Sequence, residues 1–340
     1  MNDIEGLFGK SLLQERDLSK SQFLGLVRNA VELRALRREK REPRLLEGLH
    51  FALVFQKSST RTLSSFSVAA ADQGAASTYF GPGSTHFGSK ESVYDSAKVL
   101  GRYFNGIAFR GHQHGVVEEL SEHAGVPVWN ALTESWHPTE MLADLMTMLD
   151  HSSKSLEAMT LCYLGDGKNN IANSLVMAGA ILGFEVRIIA PRQLWPDPKL
   201  VEQAHVLGKG SGARLVVTDD VAAGVDSADF LYTDVWVSMG EPQEVWDERI
   251  SLLAPYQVNS EVVKATGNRE VRFLHCLPAF HDRGSELGRD LLDRYGLDAL
   301  EVTDDVFRSS ASVVFDQAEN RLHTIKALMV ATAGKVVGAE

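Results

Sequence analysis

Short apolar runs alternate with helix-patterned stretches along most of the chain. In the first half, the apolar runs predict buried strands at 50–57, 76–81, 106–111 and 126–132. Between them, apolar residues recur three and four positions apart, which predicts helices at 62–73, 92–104 and 116–125. Strands that alternate with helices in this way indicate a parallel sheet that is covered on both faces.

The same alternation begins again near residue 150. Further strands are predicted at 160–165, 184–191, 213–219, 229–236 and 271–278. A helix from 137 to about 149 joins the two halves, and a last helix covers about 319–336. The pattern therefore predicts an α/β fold with two doubly wound parallel-sheet domains of similar size, joined by helices. We expect one domain at 1–150, with helix 319–336 packing back on it, and the other at 151–318.

Composition narrows the class of protein. The chain has 340 residues, of which 44% are hydrophobic and 23% charged, as in an ordinary globular protein. Its formal net charge of −11 argues against nucleic acid or an anionic membrane as a partner. Two distant cysteines, no long apolar run and no secretory pattern at the N-terminus predict a cytoplasmic protein. The basic run at 34–44 is interpreted as a solvated helix face, with a functional basic patch as the alternative.

Polar residues follow several strands of the first predicted sheet. The sequence SSTRT at 58–62 joins a strand to a helix, where hydroxyl side chains can cap the helix and its N–H groups can bind an anion. Arg61 adds a planar fork of donors suited to phosphate, although a simple capped helix is the alternative. Arg110 and His137 follow the next strands, and their positions suit an oxyanion or a polarised carbonyl beside a phosphate.

In the second half, the sequence GDGKNN at 165–170 follows a strand and opens a helix. Asn170 stands where the dinucleotide fingerprint needs a third glycine, and the next strand ends without the acidic residue that would bind a ribose. This argues against a nicotinamide dehydrogenase. Amide side chains at a helix start suit a carboxylate or amide ligand better.

Two more motifs follow strands of the second half. In DVWVSMG, Asp234 could hold an ammonium group. In HCLPAFHD, Cys276 could be a nucleophile, but it lies in no cysteine-hydrolase signature, so a small buried polar residue is favoured. His275, His281 and Asp282 could bind a metal, although a single cluster without a second partner motif gives weak support.

Taken in order, SSTRT, FRG, HPTE, GDGKNN, DVWVSMG and HCLP resemble the motifs of the aspartate/ornithine carbamoyltransferase family, over about 50–330. The first three are similar to motifs that both branches share, whereas DVWVSMG resembles the ornithine branch, whose SMG loop closes over the amino acid. The resemblance implies a carbamoyl-phosphate domain, an ornithine domain and a homotrimer with active sites at the subunit interfaces. Because carbamoyl phosphate is already activated, we expect no metal and no organic cofactor.

The resemblance also implies two sets of binding residues. The carbamoyl-phosphate set is Ser59, Thr60, Arg61, Thr62, His86, Arg110, His137, Glu140, Cys276, Leu277 and Arg321. The ornithine set is Asn170, Asp234, Ser238 and Met239. Arg110, His137 and Cys276 are the expected catalytic residues, with Arg110 and His137 polarising the carbamoyl carbonyl. His86 corresponds to the position that reaches carbamoyl phosphate across the trimer interface.

Glu140 departs from the family pattern, which usually has glutamine in HPTE's fourth position. An ionised glutamate only accepts hydrogen bonds, which suits the carbamoyl NH₂ group but repels the phosphate. Protonation of Glu140, or an ion pair with Arg110 or His137, would relieve that repulsion. The alternative is that the glutamate merely fills a glutamine-shaped space.

The implied activity is transfer of the carbamoyl group of carbamoyl phosphate to the side-chain amine of L-ornithine, which gives L-citrulline and phosphate. One alternative is a carbamoyltransferase for another amine, such as putrescine, lysine or an acylated ornithine. The other is a regulatory or toxin-binding homologue that keeps the pocket without turnover.

Overall fold

A computed structural model describes residue 4 and residues 6–84, 90–237 and 243–334 of the chain. The protein divides into two compact units. The described residues up to Met146, together with those from Ala318 onward, form the first unit, and Thr147–Gln317 form the second. The chain crosses from one unit to the other inside two helices, Pro138–Asp150 and Val314–Ala333.

The first unit contains a parallel sheet with the strand order β2-β1-β3-β4. Its strands are β1 (His50–Phe55), β2 (Ala76–Phe80), β3 (Gly106–Arg110) and β4 (Val128–Leu132). Its helices are α1 (Lys20–Arg38), α2 (Thr60–Asp72), α3 (Val93–Tyr103), α4 (His114–Ala124) and α5 (Pro138–Asp150).

The second unit contains a parallel sheet with the strand order β7-β6-β5-β8-β9. Its strands are β5 (Thr160–Leu164), β6 (Glu185–Ile189), β7 (Arg214–Thr218), β8 (Phe230–Thr233) and β9 (Arg272–His275). Its helices are α6 (Asn170–Leu182), α7 (Pro198–Ser211), α8 (Val221–Val225), α9 (Gln243–Leu253), α10 (Ser260–Ala265), α11 (Glu286–Tyr295) and α12 (Asp304–Phe307). The last helix, α13 (Val314–Ala333), begins in the second unit and belongs to the first unit from Ala318 onward.

Each sheet has a point at which the order of the strands reverses. In the first unit β1 pairs with β2 on one side and β3 on the other, and in the second unit β5 pairs with β6 and β8. Ligands of doubly wound sheets bind at the carboxyl ends of the strands beside such a reversal. These strand ends lead into 56–62 and Arg110 in the first unit, and into 165–170 and Asp234 in the second.

The predicted fold class is confirmed, and every predicted strand is present with its ends moved by a few residues. The last helix begins at Val314 instead of near residue 319. The reason is tertiary, because Val314 is buried in the apolar core of the second unit and so extends the helix toward it. None of the helices in the described part of the chain has the length and apolar character that crossing a bilayer requires.

The burial of the strands explains why they read as continuous apolar runs in the sequence. In β1 the residues Phe51 to Phe55 are all buried, and the whole of β8 is buried as well. Parallel strands are covered on both faces, so both sides of each strand must be apolar. The edge strand β2 differs, since its side chains are partly buried or exposed.

A buried ion cluster anchors α13 to the rest of the first unit. The Lys326 ammonium is fully buried and lies 2.6 Å from Glu42 Oε1 and 2.7 Å from Asp72 Oδ2. Burial by itself would raise the pKa of Asp72, but hydrogen bonds from Lys326 and Arg37 hold it below its ordinary value. Removing one member would leave a buried charge uncompensated, so the cluster fixes the position of the helix that also carries Arg321.

Candidate active site

The N-terminus of α2 is a candidate anion-binding corner in the first unit. Ser59 is the N-cap residue, and its hydroxyl accepts a hydrogen bond from the Thr62 N–H at 3.3 Å. Thr60 and Arg61 lie in the first turn, and Arg61 is partly buried. Backbone N–H groups at a helix start, the helix dipole and a guanidinium together attract a phosphate.

The Thr62 hydroxyl joins side chains from three separate parts of the first unit. Thr62 is fully buried, and its Oγ1 accepts hydrogen bonds from Arg110 Nη1 at 3.2 Å and Arg321 Nη2 at 3.0 Å. Arg110 ends β3, and Arg321 lies on α13. This contact brings both guanidiniums to the start of α2 and concentrates positive charge there.

His137 is a buried, neutral imidazole in this cluster. It is 2% exposed, and its Nε2 lies 3.4 Å from Arg321 Nη2. Burial, followed by the positive charges of Arg321 and Arg110, lowers the pKa of His137 well below its ordinary value. A neutral ring offers one N–H donor, which can stabilise a developing oxyanion without adding another buried charge.

Glu140 forms an ion pair inside the same cluster. It is 1% exposed, and its Oε2 lies 3.1 Å from Arg321 Nη1 and 3.4 Å from His137 Nε2. The sequence-based expectation named Arg110 or His137 as the ion-pair partner, whereas the structure places Arg321 in that role. Since the His137 ring is neutral, its contact with Glu140 is polar rather than ionic.

In the second unit, Asp234 follows β8 at the reversal of strand order. Its Oδ1 accepts hydrogen bonds from the Val235 N–H at 2.8 Å and the Cys276 thiol at 3.2 Å, while Oδ2 lies 3.5 Å from Asn169 Nδ2. Burial raises the pKa of Asp234, although nearby His275 and the Cys276 hydrogen bond oppose the shift. A carboxylate that is costly to keep ionised gains most from a bound cation.

His275, the last residue of β9, supports the loop that carries Cys276. His275 is buried, and its Nδ1 accepts the Leu277 N–H at 2.8 Å. Its Nε2 lies 3.3 Å from Oε1 of the fully buried Glu301 carboxylate. Leu277 itself has a left-handed backbone with φ of 58°, followed by a cis bond to Pro278. His275 thus supports this loop through its Nδ1.

The suggested metal ligands fall into two groups. Asp234, His275 and Cys276 place possible ligand atoms within 4.8 Å of one another, as do His281, Asp282 and Asp304. In the second group, Arg308 donates to Asp282 and to Asp304 at 2.7 Å each, so this cluster already contains its own cation. In the first group, both His275 nitrogens face other partners, as described above.

Comparison with protein families identifies the family of the chain. The family model described as "Aspartate/ornithine carbamoyltransferase, carbamoyl-P binding domain" matches residues 10–150. The model described as "Aspartate/ornithine carbamoyltransferase, Asp/Orn binding domain" matches residues 157–332. The chain belongs to the aspartate/ornithine carbamoyltransferase family.

Solved structures of this carbamoyltransferase family resemble the chain over nearly its whole length. An ornithine carbamoyltransferase from Pyrococcus furiosus is 37% identical with a TM-score of 0.88, covering 97% of this chain and 99% of its own. One from Gloeobacter violaceus is 34% identical with a TM-score of 0.80, covering 96% and 99%. An anabolic one from Campylobacter jejuni is 31% identical with a TM-score of 0.83, covering 94% and 97%.

The structure brings together many of the carbamoyltransferase residues that the motifs suggested. In the first unit, hydrogen bonds or ion pairs connect Ser59, Thr62, Arg110, His137, Glu140 and Arg321. In the second unit, Cys276 contacts Asp234, and Leu277 contacts His275. His86, Ser238 and Met239 lie outside the described residues. The roles assigned to all these residues remain predictions.

Sequence reasoning missed two side chains of the second unit. It named Asn170, but Asn169 is the N-cap of α6, where its Oδ1 accepts the Ala172 N–H at 2.8 Å and its amide nitrogen approaches Asp234. The available signal was the Asn-Asn pair at a helix start, because the first of two such residues is the natural cap. Glu301 carried no local signal, since it meets His275 only in the folded chain.

Proposed function

We propose that this carbamoyltransferase moves the carbamoyl group of carbamoyl phosphate to the side-chain amine of L-ornithine, giving L-citrulline and phosphate. The observation that carries the proposal is the Asp234 carboxylate with its raised pKa. Ornithine reacts through its side-chain amine, so its α-ammonium stays charged and can pair with Asp234. Aspartate must react through a neutral α-amine, which would leave that carboxylate without a cation. The ornithine carbamoyltransferases among the similar structures support the same choice.

In this proposal the first unit binds the phosphate group of carbamoyl phosphate. The start of α2 supplies Ser59, Thr60, Arg61 and Thr62, and the guanidiniums of Arg110 and Arg321 lie beside it. A phosphate that leaves as an anion is stabilised by the same donors that bind it in the substrate. Phosphate recognition and leaving-group stabilisation are therefore one function of this corner.

The reaction needs no covalent intermediate with the protein. The neutral amine attacks the carbamoyl carbon, a C–N bond forms, the C–O bond to phosphate breaks, and the departing phosphate takes up the amine's proton. Arg110 and neutral His137 would donate to the carbonyl oxygen while it carries negative charge. Cys276 and Leu277 would bind at the carbamoyl end. Asn170, Ser238 and Met239 would hold the carboxylate side of ornithine.

A panel of amines tests the proposal directly. We expect kcat/KM for L-ornithine to exceed that for putrescine by at least about 100-fold, because putrescine lacks both α groups and leaves polar partners unpaired. The measurement is colorimetric detection of the ureido product, with lysine, an acylated ornithine and L-aspartate as further amines. Equal rates with putrescine or acylated ornithine would refute the substrate and leave the family intact. Binding without turnover of any amine would favour the non-catalytic homologue.

The pH dependence of the reaction should follow the amine. The side-chain amine has a pKa near about 10 by analogy with lysine, so only about 0.3% is neutral at pH 7.4. Because the pKa of His137 lies well below its ordinary value, this ring stays neutral and adds no opposing titration in that range. We expect kcat/KM for ornithine to rise at least roughly tenfold from about pH 6.5 to 8.5. A flat or falling profile from folded protein would contradict direct attack by the free amine.

Replacing Glu140 by glutamine tests the departure from the family pattern. A carboxylate at an assumed ~7 Å from a phosphate charge would repel it by about 2–2.5 kcal/mol at an effective dielectric constant of 20. The Glu140→Gln change also releases Arg321 from its ion pair, which strengthens the positive corner. We expect carbamoyl phosphate to bind this variant at least as tightly as wild type, as measured by calorimetry.

A matched control distinguishes an effect at the site from an effect of the changed net charge. The exposed Glu134 changes charge by the same amount in the same unit, so Glu134→Gln should alter binding by less than about twofold. If Glu140→Gln instead weakens binding tenfold, the negative charge itself takes part in recognition, and the repulsion argument fails.

We also propose a cytoplasmic homotrimer that acts in arginine metabolism. Support for assembly comes from exposed apolar side chains on the edge strand β2 and on α3 of the first unit. Tyr79 on β2 and Tyr94, Val99 and Tyr103 on α3 are between 41% and 72% exposed. Large exposed aromatic residues near an open sheet edge are typical of a surface that is covered in an oligomer. Light scattering should give about three times the mass of one chain, and a monomer at assay concentration would contradict this.

A further inference from the structure

We propose that Tyr163 is a positioning residue for the amino-acid substrate: its phenol holds the Asn169 amide, which in turn orients the Asp234 carboxylate. The inference rests on the proposed function only in needing an amino-acid substrate whose ammonium pairs with Asp234. None of the motifs includes Tyr163 as a functional residue, and it lies beneath the site.

Tyr163 occupies the centre of the second sheet. It is a fully buried residue of β5, next to the point where the strand order reverses, and it pairs with Tyr232 of β8. The pKa of its phenol is raised well above the ordinary value by burial and by the carboxylates of Asp234 and Asp166. The phenol therefore stays neutral and can serve as a fixed hydrogen-bonding group.

The contact with Asn169 is short and directional. Asn169 Nδ2 donates to the Tyr163 hydroxyl oxygen at 2.6 Å. The other end of the amide is fixed too, because Oδ1 caps α6 by accepting the Ala172 N–H at 2.8 Å. An amide held at both ends has one orientation, and Tyr163 selects the side toward which its nitrogen points.

That orientation turns the Asn169 amide nitrogen toward Asp234. The distance from Nδ2 to Asp234 Oδ2 is 3.5 Å, while Oδ1 of the same carboxylate is held by Val235 and Cys276. Oδ2 is thus the oxygen on the Asn169 side of the carboxylate. An amide donor at this oxygen stabilises the ionised form and fixes the plane of the carboxylate that would receive an ammonium group.

The phenol therefore acts through Asn169 and not on substrate itself. Without the hydroxyl, the Asn169 amide loses its 2.6 Å partner and is free to turn away from Asp234. Phenylalanine fills the same space, so the packing of β5 against β8 is preserved. The loss of the hydroxyl should weaken recognition of the amino acid and leave the anion-binding corner of the first unit intact.

The test is the variant Tyr163→Phe in steady-state kinetics. We expect KM for ornithine to rise roughly five- to twentyfold, with kcat and KM for carbamoyl phosphate within about twofold of wild type. The matched control is Tyr256→Phe, because Tyr256 is also a buried tyrosine of the second unit, but its hydroxyl donates to the Asp219 carbonyl. The control should change neither KM by more than about twofold.

A second variant distinguishes positioning from packing. Serine is a good N-cap residue but has no amide nitrogen, so Asn169→Ser keeps the cap and removes the link. If Tyr163 acts through Asn169, the double variant should have the same ornithine KM as Asn169→Ser alone. The inference would be overturned if the two substitutions multiplied their effects on the ornithine KM in the double variant. It would also be overturned if Tyr163→Phe left the ornithine KM unchanged.

Failure of the ornithine assignment can be distinguished from failure of the positioning role. If the wild-type protein prefers another amine that carries an α-ammonium, the same KM shift should appear with that amine. The positioning role would then stand while the ornithine proposal falls. If wild type prefers ornithine and Tyr163→Phe behaves like Tyr256→Phe, the positioning role falls alone.

Discussion

Replacing Arg61 by alanine should lower kcat/KM for carbamoyl phosphate by roughly 30- to 1,000-fold, which corresponds to about 2–4 kcal/mol of transition-state stabilisation. Arg61 lies in the first turn of α2, where the helix N–H groups and the dipole already favour an anion. Its planar fork can pair with two phosphate oxygens at once, and no other group of that turn carries a positive charge. Initial-rate kinetics with varied carbamoyl phosphate measure the effect.

Two further variants define what Arg61 contributes. Arg61→Lys keeps the charge but loses the two-pronged geometry, so its kcat/KM should fall between those of wild type and Arg61→Ala. The exposed Arg41, which follows α1, provides the control, and Arg41→Ala should stay within about twofold of wild type. Near-normal kcat/KM in Arg61→Ala would remove this residue from the phosphate site.

The second large effect is expected for Asp234→Asn, with kcat/KM for ornithine reduced roughly 100- to 1,000-fold. Asparagine preserves the shape of the side chain and can still accept from the Val235 N–H, so the main loss is the negative charge. Removing one partner of a desolvated ion pair commonly costs about 2–5 kcal/mol, because the other charge stays buried and uncompensated. Kinetics with varied ornithine give the size of the loss.

The same carboxylate should shape the acidic side of the pH profile. Because burial raises the pKa of Asp234, this group takes up a proton at a higher pH than an ordinary aspartate as the solution is acidified. Ornithine binding should weaken at that pH in wild type and lose this dependence in Asp234→Asn. The exposed Asp226 serves as the control, since Asp226→Asn removes a charge from the same unit without touching the site. Equal losses in both variants would argue against a specific pair.

The elements of the fold could be predicted because their signals are local. Buried parallel strands need apolar residues on both faces, and helices need them at three- and four-residue spacing. Each element can therefore be predicted from its own residues. The positions at which the elements begin and end depend less on the local sequence. The last helix starts at Val314 because that side chain enters a core built by residues far away in the sequence.

The position of the candidate residues at the ends of the strands was also predictable. Strands followed by polar motifs indicate a site at the carboxyl edge of a sheet, and the observed strand orders place 56–62 and Asp234 beside the two reversals. The strand order itself was not available from the sequence, since pairing joins strands that are not consecutive. The motifs indicated that the candidate residues lie at the carboxyl edge of a sheet. The strand order decided which strands meet at that edge.

The sequence by itself determined the α/β class, the strands and helices, and the motif set that marks a carbamoyltransferase. Only the tertiary structure decided that Arg321 pairs with Glu140, that Asn169 faces Asp234, and that Glu301 lies under His275. It also decided that His137 is neutral, because its pKa depends on burial and on two arginines from other elements. Local patterns encode which element a residue joins, whereas charge state and partner depend on which distant side chains the fold brings within a few ångströms.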